Sequence, residues 1–223
     1  MSRTAWRTAG ALALGHVVLM VLAITQQQSP RLGEDPAAAY AGADLARVLA
    51  GGYGEALAFL LLLPVVAFLA REVGRTTETG RWAASTGFAA GIAYIASTLA
   101  VGLPAGAAAV YGAGHGADLG VVAVVNDVRN FAFFLSMMLL AVHVAGVAVA
   151  LLADRRLPGW LGWSGLGTAA VLVATVPFAG TGAVDYATLV WILWFIALAT
   201  AMLRHRPEGV GVPSPAAVTT TAV

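Results

Sequence analysis

The chain has 223 residues, 60% of them hydrophobic and 10% charged, with a formal net charge of +1 and no cysteine. A soluble domain carries about 25% charged residues. One water-soluble core cannot hide this much apolar surface under so thin a polar skin, so lipid must solvate most side chains. The small net charge argues against a nucleic-acid partner, and the lack of cysteine excludes disulfides, thiolate metal sites and cysteine nucleophiles.

All 12 basic residues are arginine, and Ala, Gly and Val are abundant, a composition that points to a GC-rich bacterial genome. Between Arg7 and Arg31 lie 23 residues without a formal charge, enough for a first span. Arg3 and Arg7 ahead of an apolar run also describe a secretory signal peptide. Gln26, Gln27 and Gln28 follow the run instead of a small-x-small cleavage site, so a retained helix is expected.

Ser29 to Asp44 is a polar connection whose PAAAYAGADLARVL portion suits a short interfacial helix. The second span runs from about Val48 to Ala70, interrupted by Glu55 and Pro64. After the hydrophilic turn REVGRTTETGR, the third starts near Trp82 and passes Pro104. Gly87, Gly91, Tyr94 and Thr98 fall on one helical face of this span and predict a seam where two backbones approach closely. The glycine-rich YGAGHGADLG follows, with Asp118 placed to cap an early helical start.

The fourth span is the apolar run of 24 residues from Asn130 to Ala153. The turn RRLPGWLGW opens the fifth, which ends near Pro177, and AGTGAVDY leads to a sixth from Tyr186 to Leu203. The domain expected is thus an all-α, polytopic bundle of six transmembrane helices over residues 1–206. Residues 207–223 lack apolar periodicity and are expected to be a disordered tail.

Six spans put both termini on one side. That side collects Arg3, Arg7, Arg71, Arg75, Arg81, Arg155, Arg156, Arg204 and Arg206, and the other only Arg31, Arg47 and Arg129. The positive-inside rule makes the richer side, and both termini, cytoplasmic in a bacterial inner membrane. Trp82, Trp160 and Trp163 then fall at the cytoplasmic interface, where amphipathic rings are favoured.

Ionisable groups inside a span are costly and each needs a reason. His16 and His143 lie roughly 14 Å and 16 Å along their helices from Arg7 and Asp154, near the bilayer midplane. Two imidazoles at equal depth can share a haem iron or a metal ion, or each can bond a carbonyl across a helix interface. Arg129, Ser136 and His143 recur every seven residues and form one stripe that should face the bundle. Glu55 should lie at the same outer depth as Arg129, so an ion pair fastening the second helix to the fourth is expected. Asn126, Asp127, Asn130, Asp185 and Gln27 can join them in an outward-opening polar pocket.

For an enzyme, Glu55 or Asp127 would act as general base with Arg129 as an anion partner. No ordered nucleophile–base motif, zinc-protease motif or phosphate loop accompanies them. For a transporter, Pro64, Pro104 and Pro177 can break helices but do not occupy matching positions in two halves.

The opening of the fourth helix, Arg129, Asn130 and Phe131, and the LP-x-W-L-x-x-x-G element formed by Leu157, Pro158, Trp160, Leu161 and Gly165 carry a resemblance. With Glu55 near the start of the second helix, Val125 to Leu166 resembles the bacterial six-helix membrane family catalogued as a domain of unknown function, number four-three-eight-six. The similarity extends over Ala9 to Arg204 and departs in the third helix, where Tyr94 stands in place of a polar pair. The resemblance implies six helices and a membrane location, and brings no activity.

Three readings remain, one of them purely structural, in which the polar groups only fasten helices, and two functional. The first is a non-enzymatic accessory, binding or small-solute transport component built on the Glu55–Arg129 pocket, with the lipid bilayer as its certain partner, no cofactor, and a homo-oligomer or another membrane protein as a further partner. The second is a membrane enzyme or haem protein using the midplane histidines.

Overall fold

A computed structural model describes residues 2–26, 30, 34–40 and 43–205. The expected tail at 207–223, together with Gln27, Arg31 and Arg206, lies outside these described residues. The helices are α1 (Arg3–Gln26), α2 (Pro36–Tyr40), α3 (Leu45–Glu72), α4 (Glu78–Ser97), α5 (Leu103–Gly114), α6 (Leu119–Asp154), α7 (Gly159–Thr175) and α8 (Ala183–Arg204). A π-helical segment, Thr98–Gly102, joins α4 to α5, and a 3-10 segment, Val176–Thr181, follows α7. Among the described residues there is no strand, and six helical stretches are long and apolar enough to cross a membrane. The α4–π–α5 stretch counts as one of them, Glu78–Gly114. Val18, Leu22, Phe131, Leu135 and Leu193 point outward, as hydrocarbon contact requires.

Two boundaries and one stretch of backbone differ from expectation, each for a local reason. The fourth span begins at Leu119, because Asp118 accepts the backbone N–H groups of Gly120 (2.9 Å) and Val121 (3.2 Å) and caps the helix there. At 36 residues α6 is roughly 54 Å long, well beyond a hydrocarbon core of about 30 Å. Arg129, Asn130 and Phe131 therefore lie well inside the helix instead of opening it. The sixth span starts at Ala183, since Gly182 at φ 77° reverses the chain and lets Asp185 join the first helical turn, where the helix dipole favours an acid. Pro104 has no N–H to offer a carbonyl one turn back, and the ladder widens just before it. The Leu103 N–H reaches the Thr98 carbonyl, five residues earlier.

The expected glycine seam is the crossing of α4 and α6. A Cβ on Gly146 would stand 2.7 Å from both Gly87 Cα and the Ala83 carbonyl oxygen, closer than any side chain tolerates. Backbones in lipid associate by this kind of close packing.

One end of the bundle is tied by polar contacts. Asp154 at the end of α6 accepts the backbone N–H groups of Arg75 and Thr76 at 2.8 Å each, and the Thr76 hydroxyl as well. Buried Glu72 pairs with Arg75 (3.3 Å) and Arg156 (3.6 Å). Trp6 packs edge-on against Phe68 (5.0 Å) and tilted over His205 (4.2 Å). The start of α1, the α3–α4 and α6–α7 connections and the end of α8 thus share one end, which carries the arginine-rich connections. Trp82, Trp160 and Trp163 are all exposed at it.

Candidate functional site

The opposite end contains a chamber of about 870 Å³ walled by α1, α3, the π segment, α5, α6 and α8. Its body is apolar and aromatic, with Met20, Phe59, Leu99, Phe133, Met137 and Trp191 in the wall. Polar groups that reach it include Glu55 from α3, Thr98 from the π segment, Arg129, Asn130 and Ser136 from α6, and Asp185 and Thr188 from α8. Glu55, Arg129 and Asp185 are the charged residues among the described lining. A large pocket of apolar surface with a few convergent polar groups is the usual form of a small-molecule site.

Arg129 is seated by a neighbouring glycine. A Cβ on Gly106 would come within 3.0 Å of Arg129 Cδ, so the bare backbone of α5 makes room for the arginine's aliphatic arm. The charge of Glu55 bears electrostatically on both Arg129 and Tyr94. The chamber thus brings Glu55 of α3 and Arg129 of α6 into one lining. Arg129 Nη1 donates to Asn130 Oδ1 at 3.3 Å.

Most of the hydroxyls in the wall are spent on backbone carbonyls of their own helices. Thr98 donates to Tyr94 O (3.1 Å), Ser136 to Phe133 O (2.7 Å) and Thr188 to Val184 O (2.9 Å). The Tyr40 hydroxyl donates to Asn126 Oδ1 at 3.0 Å, tying the short α2 onto α6. Burial lifts the Tyr40 phenol above its ordinary range against the opposing pull of Arg129, which keeps it a neutral donor.

The expected cluster is thus divided. Glu55, Arg129, Asn130 and Asp185 line the chamber. Asn126 is buried outside the lining, engaged by Tyr40. Asp127 is exposed and does not line the chamber, because the 100° step between successive helical residues turns it away from the face holding Asn126 and Asn130. The stripe of Arg129, Ser136 and His143 does face inward, with Ser136 and His143 both buried. Tyr40, Tyr53, Tyr94 and the π segment are wall components that sequence reasoning did not assign to the pocket. Pro104 marked a place where the third span could break, though not the π-helical form of the break.

The histidines serve two separate helix interfaces. His143 Nδ1 lies 2.8 Å from the Gly87 carbonyl oxygen and joins α6 to α4. His16 Nδ1 lies 2.8 Å from the Ala58 carbonyl oxygen and joins α1 to α3. A carbonyl can only accept, so each Nδ1 carries the proton and donates. The His16 ring then packs edge-on to Phe59, Trp191 and Phe195, and its buried Nε2 has no hydrogen-bond partner among the described residues. No group of three or more His, Asp or Glu among the described residues is placed to hold a metal ion.

Comparison with protein-family models, with curated proteins and with solved structures finds no match to this chain.

Proposed function

We propose that the protein is a multi-pass bacterial inner-membrane protein whose chamber opens to the periplasmic side and binds a small molecule, as a non-enzymatic binding or small-solute transport component. Both termini are cytoplasmic in this reading, because the end rich in arginine faces inward. The observation that carries it is the chamber of about 870 Å³ at the arginine-poor end, where one wall is a broken helix and three charged side chains converge. Irregular backbone at membrane depth is tolerated where it lines a cavity, and such breaks recur at substrate sites. The resemblance to the six-helix family of unknown function accords with this reading and adds no substrate.

The absence of cysteine makes the test clean. Single Tyr53→Cys and Ser136→Cys variants, probed in right-side-out vesicles with a membrane-impermeant maleimide, should label from the periplasmic face, and Trp82→Cys should not. Labelling of Trp82→Cys alone from that face would overturn the orientation. Failure of Ser136→Cys to label from either face would overturn the open chamber.

A further inference from the structure

The turn between α6 and α7, at the arginine-rich end of the bundle, holds a second recess of about 630 Å³. Leu152, Leu157, Pro158 and Trp163 give it apolar walls. Arg155 and Arg156 are its charged residues, and its described lining contains no acid. Arg156 is engaged by Glu72 (3.6 Å) and Asp154 (3.5 Å). Arg155 has no hydrogen bond or ion pair through its guanidinium among the described residues. Its neighbour Asp154 is already taken by the N–H groups of Arg75 and Thr76 and by Arg156.

The backbone at Arg155 is also unusual. It closes α6 at φ 54°, and among the described residues it is the one non-glycine at positive φ. Its N–H donates to the Leu151 carbonyl at 3.0 Å, which ends the helix. Glycine fills such a position without steric penalty, and the other left-handed turns use it, at Gly74, Gly116 and Gly182. Arg155 carries that penalty while its side chain bonds nothing in the fold. Packing therefore does not explain an arginine here.

An unmatched guanidinium calls for an anion, and its planar fork suits phosphate oxygens. The exposed indoles of Trp160 and Trp163 put the recess at headgroup depth, where phosphates arrive attached to acyl chains. We propose that this recess holds the headgroup phosphate of an anionic phospholipid. Arg155 donates to the phosphate, and Trp163 and Leu152 flank the glycerol and the upper acyl chain. The site lies at the opposite end from the chamber and does not depend on it.

The test is native mass spectrometry of the full chain in mild detergent with equal amounts of dioleoylphosphatidylglycerol and dioleoylphosphatidylcholine. Wild type should retain one phosphatidylglycerol in preference to phosphatidylcholine. Arg155→Gly should lower that retention about fivefold, the effect of one arginine beside an anionic headgroup, at a melting temperature close to wild type. Arg155→Asn also accepts this backbone and should do the same, which covers a glycine that loosens the turn. Arg71→Ala removes an exposed arginine of the same end outside the recess and should leave retention unchanged. Equal retention of phosphatidylcholine, retention indifferent to both Arg155 variants, or an equal loss in Arg71→Ala overturns the site. A collapse of melting temperature in both Arg155 variants makes Arg155 a structural residue and overturns it too. Displacement of the lipid by an excess of inorganic phosphate assigns a free-anion site and overturns the lipid. Ser136→Trp, at the other end, should leave phosphatidylglycerol in place, so this lipid and a chamber ligand are read separately.

Discussion

His143 Nδ1 donates to the carbonyl oxygen of Gly87 at 2.8 Å, across the same α4–α6 crossing where Gly87 and Gly146 bring two backbones together. The bond and the close approach depend on each other. A larger residue at either glycine would lift α4 away and break the hydrogen bond. His143→Leu should cost about 1–3 kcal/mol, the range for losing a buried polar partnership. Thermal unfolding in mild detergent would show this as a lower melting temperature than wild type. Gly146→Leu should cost more, and an unchanged melt for both would refute the seam.

Arg129 and Glu55 share the chamber as opposite charges in poorly solvated surroundings. Both are half-buried, so removing one leaves the other a poorly solvated charge, at a cost of about 1–3 kcal/mol, below that of breaking a fully buried pair. Arg129→Ala should therefore destabilise, whereas the double variant Glu55→Gln with Arg129→Gln should recover much of the loss. A double-mutant cycle on thermal melts reads the coupling directly. Additive effects would show that the two residues act independently.

Asp154 pins the α3–α4 connection by accepting from Arg75 and Thr76, 78 to 79 residues earlier in the chain. Asp154→Ala releases that loop, which contains Arg75 and leads into the first turn of α4 with Arg81. Limited trypsin digestion should cut the variant there much faster than wild type, with the transmembrane fragments otherwise intact. Equal cleavage rates would mean that Glu72 with Arg75 and Arg156 holds the loop without Asp154.

His205 lies just past the end of α8 against Trp6, and partial burial, with Arg156 nearby, holds its imidazole below the ordinary value of 6.5. The folded chain then binds its proton less readily than the unfolded chain. Stability contributed by this residue is complete above about pH 6.5 and declines as the pH falls through the lower folded value. Melting temperatures measured from pH 7.5 down to 5 should fall more for wild type than for His205→Phe. Identical slopes would remove His205 as a source of acid sensitivity.

Hydropathy was enough to find all six spans, because about 20 apolar residues in succession have few other destinations. Arginine counting gathered the connections that Asp154, Glu72 and Trp6 tie together at one end. The π segment at Thr98–Gly102 was not legible, since hydropathy does not register a change of hydrogen-bond partner from four to five residues back. The polar cluster from Asn126 to Asn130 read as a helix boundary, yet α6 continues through it, because a helix longer than the hydrocarbon core can carry polar residues beyond the lipid. Helical periodicity separates Asp127 from Asn126 and Asn130 and would have divided the cluster correctly. Tyr40 was out of reach: it sits on a five-residue helix, and its partner Asn126 is 86 positions away.

The most direct measurement of the chamber's purpose is a native mass spectrum of the full chain released from mild detergent, beside that of Ser136→Trp, which fills the chamber wall. A binding protein predicts an added mass of a defined small molecule on the wild type that is lost from the folded variant. A bare polypeptide mass for the wild type, or the same set of adducts on both, would contradict the account.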